Sequence, residues 1–150
     1  MQLPANDSRD YATASAELPE IASHFAALYR SFWSLGSVPA PTLELCRLRQ
    51  AQLLQSELAW QHRELTLPDG QREALSQWPD SDLFSPAEKA CLELTEVHAM
   101  DAQAITDAQA DAVKGHYGEV GYVAVVQALG VFDATTRLGL IWNLATAEMN

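Results

Sequence analysis

The stretch "ELCRLRQAQLLQSELAWQHRE", Glu44 to Glu64, decides how the rest of the chain is read. Its apolar side chains recur at helical spacing within a pattern that runs from residue 42 to 65. Leu45, Leu48, Ala51, Leu58 and Leu65 line one side, and Cys46, Leu53 and Trp60 join them at seven-residue steps. Between them sit Glu44, Gln52, Ser56, Glu57 and His62, groups that can bind a ligand or move a proton. The same segment is therefore a packing element and the best candidate for a site.

Working outward, the helical period persists. Ile21, Phe25, Leu28 and Phe32 form one stripe, begun at "LPE" and stopped by Gly36 and Pro39. "LPDGQ" at 67 to 71 is punctuation, followed by a short predicted helix over Arg72 to Gln77. "SPAE" sets Ser85 at an N-cap, Pro86 at the first helical position and Glu88 where it completes a capping box. "TDAQ", Thr106 to Gln109, repeats that logic with glutamine. The last helix, about Val120 to Ala147, is apolar nearly all round, which predicts burial in the core or against another copy. Gly121, Gly130 and Gly139 would let a neighbour approach it closely. No segment alternates with period two. The fold class predicted is all-α, about six to seven helices in a single domain over 1–150, with residues 1–16 as a polar N-terminal arm.

Composition narrows the function. Nine Lys and Arg against 20 Asp and Glu give a formal net charge of −11. That balance repels a phosphate backbone, and no basic patch offsets it, so neither nucleic acid nor an anionic membrane is expected as a partner. No secretory leader and no apolar run near the ~20 residues of a membrane span are visible. Cys46 and Cys91, far apart in sequence, read as two buried free thiols in a reducing cytoplasm. His24, His62, His98 and His116 are scattered without ligand spacing, so no metal is expected. No cofactor motif is present.

"FAALYRSFWSLGSVPAPTLELCRLRQAQLLQSELAW" followed by "REALSQWPDSDLFSPAEKACLELTEVHAMDAQAITDAQ" resembles the carboxymuconolactone decarboxylase and alkylhydroperoxidase (AhpD-like) family, over about residues 20 to 145. The resemblance implies an all-helical homo-oligomer, often a trimer or hexamer. In the peroxidase branch, related to peroxiredoxin-type chemistry, a glutamate precedes a Cys-x-x-Cys, and a histidine follows the second cysteine by four residues. On this chain the glutamate position holds Glu44, the two cysteine positions hold Ser56 and Ala59, and the histidine position holds Arg63. His62 lies one residue away. Serine and alanine have no disulfide or sulfenic state, so the peroxidase activity implied by the family is expected to be lost.

The decarboxylase branch implies cofactor-free acid–base chemistry. Glu44 and His62 are the catalytic candidates, with Gln52, Ser56, Ala59, Trp60 and Arg63 around a pocket in which Arg63 would bind a small organic acid. On an unbroken helix Glu44 and His62 sit about 27 Å apart, and Ser56 and His62 diverge by about 240°; only a break near Gln55 would unite them. The other readings stay open: a non-catalytic oligomer that binds a ligand or partner, and a residual peroxidase using Cys46 or Cys91. Glu44 could equally be a first-turn carboxylate after a Thr42 cap. Trp60 could be core, Asp133 and Arg137 a buried i, i+4 ion pair, and His98 and His116 helix-end residues.

Overall fold

The computed structural model describes residues 9–149. Among these the chain is all helical: α1 Tyr11–Ala14, α2 Pro19–Ser31, α3 Ala40–Leu53, α4 Glu57–Gln61, α5 Gln71–Ala74, α6 Pro86–Asp101 and α7 Asp107–Trp142, with short 3₁₀ turns after α2, α5 and α6. Residues 1–8 of the expected N-terminal arm lie outside the described residues. The remainder of that arm is structured: Asp10 caps α1, and Tyr11 is buried against α2 and α7.

Helices α3, α6 and α7 pack on one another and carry the core. One cluster holds Leu43, Leu94, Val125, Leu129 and Phe132; the ring of Phe132 stacks on Trp33 at 5.4 Å and meets Tyr29 and Phe32 edge-on. A second, smaller cluster gathers Leu45, Leu48, Leu75, Trp78, Phe84 and Leu92. Helix α3 lies between the two, so Thr42 through Leu48 are buried on every side. Both capping boxes form as the sequence requires, at Ser85 and Thr106.

Several expectations are corrected. Of the 20s stripe, Ile21 and Leu28 face outward; the buried face of α2 is Ala26 and Tyr29, because the small and aromatic residues, not the aliphatic ones, meet α3 and α7. Gly118, at φ 71°, breaks α7 one residue after Tyr117, and the helix stops at Trp142 rather than Ala147, where Asn143 turns left-handed. A Cβ on Gly121 would lie 3.3 Å from the Ser37 carbonyl and closer still to Tyr117, whereas at Gly130 it would meet nothing. The apolar surround of α7 is one-sided: Val120 and Ile141 are 73 % and 74 % exposed on its outer face. By length and composition alone Asp107–Trp142 is long and apolar enough to cross a membrane, a test that the core helix of a soluble protein also passes. Asp133 and Arg137 do pair, at 3.0 Å, but at the surface rather than in the core.

The largest departure lies in the opening stretch. The predicted helix over 42–65 is two helices. Leu54 closes α3, Gln55 adopts φ 57°, and the amide of Ser56 donates back to the Ala51 carbonyl at 2.9 Å while that of Gln55 donates to Gln52. This is a Schellman stop with glutamine where glycine is usual, at a conformational cost of about 1–2 kcal/mol. Ser56 then caps α4 by accepting the Ala59 amide at 3.1 Å. The absence of glycine hides the break from a sequence reading.

Candidate functional site

The break folds α4 back beside α3 and releases the chain into an extended conformation at His62. Beyond it the chain bends at Glu64 and Leu65, whose consecutive amides both point at Glu44. His62 and Glu64 turn toward α2, while Arg63 and Leu65 turn away.

Two polar clusters result. The first is Glu44 and Arg47, both buried. Arg47 Nε donates to Glu44 Oε1 at 2.5 Å, and its Nη1 and Nη2 donate to the carbonyls of Ala59 (2.8 Å) and His62 (2.7 Å). The other oxygen of Glu44 accepts the amides of Glu64 (2.7 Å) and Leu65 (3.3 Å). The pair thus clamps both ends of the α4 segment onto α3, satisfying backbone groups that a broken helix leaves open. Glu44 is not a first-turn carboxylate behind Thr42; α3 begins at Ala40 with Pro39 as its cap, and Glu44 lies inside it.

The second cluster is Tyr29, Glu64 and His62. Glu64 Oε1 accepts the Tyr29 hydroxyl and faces His62 Nε2, each at 2.7 Å. Burial alone would raise the Glu64 carboxyl, but the hydrogen bonds from His62 and Tyr29, with the charges of His62 and Arg47, outweigh it and the net shift is downward. Burial pushes the Tyr29 hydroxyl well above the ordinary tyrosine range, and the neighbouring Glu64 adds to that. An ionised carboxylate only accepts, so Nε2 of His62 carries the proton and Nδ1 is the nitrogen left with a lone pair in the neutral ring.

Tyr29, Arg47, Ser56, Ala59 and His62 border a cavity of about 30 Å³, covered on the far side by Thr135 and Thr136 of α7 and by the segment ending at Met149. That volume exceeds the roughly 10–15 Å³ that one water needs. The hydroxyl of Ser56 accepts a backbone amide, which leaves its own hydrogen to donate. A Ser56–His62 combination, ruled out on a continuous helix, is therefore restored as two residues on one cavity wall. Glu44 makes no direct hydrogen bond to His62; Arg47, which donates to the His62 carbonyl, and Glu64 stand between them.

The other expected residues lie elsewhere. Gln52 hydrogen-bonds Arg49 at 2.9 Å and borders a separate, open groove with Trp60. Trp60 packs on the smaller core cluster and lies 4.0 Å beneath the guanidinium of Arg72. Arg63 is exposed and lines neither of these pockets. His98 sits in the last turn of α6, 3.4 Å from Gln50, and His116 just before the Gly118 break. Cys46 and Cys91, distant in sequence, are neighbours in space, with the Cys46 sulfur 3.9 Å from the Cys91 carbonyl. Burial pushes the Cys46 thiol up to about 12 and raises Cys91 too, the opposite of what a reactive thiol requires. Among the described residues no group of three or more His, Cys, Asp or Glu could hold a metal ion.

Tyr29, Arg47 and Glu64 were not among the candidates. Arg47 carried a signal, since it lies three residues from Glu44 on the same helix. Glu64 and Tyr29 carried none, because their approach depends on the break at Gln55.

No family model and no curated protein match the chain. A crystal structure does: that of a protein of unknown function from Agrobacterium tumefaciens, named for the antioxidant defence protein AhpD. It is 16 % identical, with a TM-score of 0.72 over 91 % of this chain and 94 % of that one. The fold is AhpD-like.

Proposed function

We propose that this AhpD-like chain has no thiol peroxidase activity and instead carries a cofactor-free acid–base site for a small organic acid, with His62 as the group that moves the proton. The observation behind this reading is the shared carboxylate: Glu64 accepts from Tyr29 and holds Nε2 of His62, beside a cavity bordered by Ser56 and Arg47. A histidine oriented by a carboxylate through one nitrogen presents the other as base, the arrangement general acid–base catalysis uses. Arg47 borders the same wall, its charge balanced by Glu44 and its nitrogens taken up by backbone carbonyls. The positions at which the family resemblance places cysteines hold Ser56 and Ala59, so the site has no electrons to give to a peroxide.

The test is turnover of small lactone and β-keto acids followed by NMR. We expect conversion by the wild type and a loss of about 10²–10⁴-fold in His62→Ala, with Glu64→Gln impaired and its pH profile displaced. Conversion unaffected by both substitutions, or none at all, refutes the acid–base site. Dithiol-dependent consumption of an organic hydroperoxide that disappears in Cys46→Ser refutes the first half of the proposal.

A second reading, a homo-oligomer that binds without catalysis, is favoured by the outer face of α7, where Val120, Val123, Gly130 and Ile141 leave an apolar strip open. Light scattering that shows a monomer at micromolar concentration removes it.

A further inference from the structure

On the far side of the segment from His62, Arg63 and Leu65 face a different cavity. It has a volume of about 160 Å³, and Arg72 of α5 and the loop Thr66–Gly70 complete its walls. Its floor is apolar, made by Leu48, Leu65 and Leu67. Its two guanidiniums are the unusual feature. Arg72 is held by donation from Nη2 to the Trp60 carbonyl and by stacking on the Trp60 ring, yet its Nε is buried without a hydrogen-bond partner. Arg63 makes no hydrogen bond or ion pair among the described residues. Burial and the like charge of Arg63 both lower the Arg72 guanidinium's pKa, so the two cations converge without an anion in contact with either.

A buried donor without a partner is destabilising by about 1–3 kcal/mol unless something accepts from it, and adjacent guanidiniums repel. The repulsion is removed by a carboxylate placed between the two side chains, the group whose geometry a guanidinium's outer nitrogens match in two parallel hydrogen bonds. The apolar floor asks that the rest of the ligand be hydrocarbon. Asp69 and Glu73 also border the cavity, beyond ion-pair distance of either arginine, and they repel a second negative charge.

We propose that this cavity is a binding site for a monocarboxylate with a short apolar body, held by Arg63 and Arg72. It is separate from the His62 cavity, and its failure would leave that reading intact. The experiment is an NMR titration of the full chain with isovalerate at constant ionic strength, following the Trp60 indole N–H and the Arg72 Nε–H. Saturable shifts at millimolar concentration are expected, weakened about tenfold or more in Arg63→Gln. That variant alters an exposed side chain without internal bonds, so the fold is kept. Arg72→Lys, which retains charge but removes the planar fork, should weaken binding as well. Succinate should bind less well than isovalerate, because its second carboxylate meets Asp69 and Glu73. A linear drift that equimolar chloride reproduces, or an affinity unchanged in Arg63→Gln, overturns the proposal.

Discussion

Two polar clusters meet at His62 and Glu64, and they differ in what they leave over. Around Glu44 and Arg47 each carboxylate oxygen and each guanidinium nitrogen has a backbone or ionic partner, and both side chains are sealed, at 0 % and 4 % exposure. Around Glu64 and His62 the side chains keep 21 % and 19 % exposure, the shared oxygen is crowded, and a ring nitrogen and the serine hydroxyl hydrogen remain unspoken for. The first arrangement has no capacity left for a substrate. The second has. Glu44 therefore serves the architecture, and the uncommitted polar groups belong to the neighbours that architecture positions.

The comparison breaks most sharply at Arg47. Arg47→Met should destabilise the chain by about 3–5 kcal/mol in urea unfolding, because Glu44 is left as an unpaired buried charge and two carbonyls lose their donor. A loss below ~1 kcal/mol would mean that the cluster is open to water. Glu64→Gln should cost about 1.5–3 kcal/mol at neutral pH, the range for hydrogen bonds to a charged group. Its sign with pH follows from a native pKa held below the ordinary 4.5. The stabilisation is complete above that value and is lost as pH falls through the lowered one. Wild type and variant should converge on acidification, and curves that stay parallel would show that Glu64 is not the titrating group. Tyr29→Phe should cost ~1 kcal/mol and shift the His62 ring resonances only slightly, since one of two donors to Glu64 remains. Smallest of all, Gln55→Gly should raise stability by up to ~1 kcal/mol by relieving the left-handed backbone; a loss would show that the turn is held by the Gln55 side chain.

The sequence made the helices legible because their punctuation is local. Ser85, Pro86 and Glu88, or Thr106 and Gln109, announce a helix start within four residues. The membership of the site was partly legible, since Ser56, Ala59 and His62 do line one cavity with Tyr29. Gln52, Trp60 and Arg63 were misplaced for one reason. A helical wheel assigns faces by 100° steps, and the wheel ceases to apply at Gln55 and again at His62. Past those points the chain is non-helical and bends at Glu64 and Leu65, which leaves His62 on one cavity and Arg63 on another.

The segment after α7 has a consequence for the order in which the site is made. Leu144, Ala147 and Met149 cover the His62 cavity, Ala145 donates to the Arg9 carbonyl at 2.8 Å, and Arg30 reaches the Met149 carbonyl at 2.9 Å across 119 residues. During translation, at about 5–20 residues per second, Tyr29, Arg47 and His62 leave the ribosome long before their cover exists. Until residues 144–149 follow, the nascent chain holds a half-built polar cleft open to solvent.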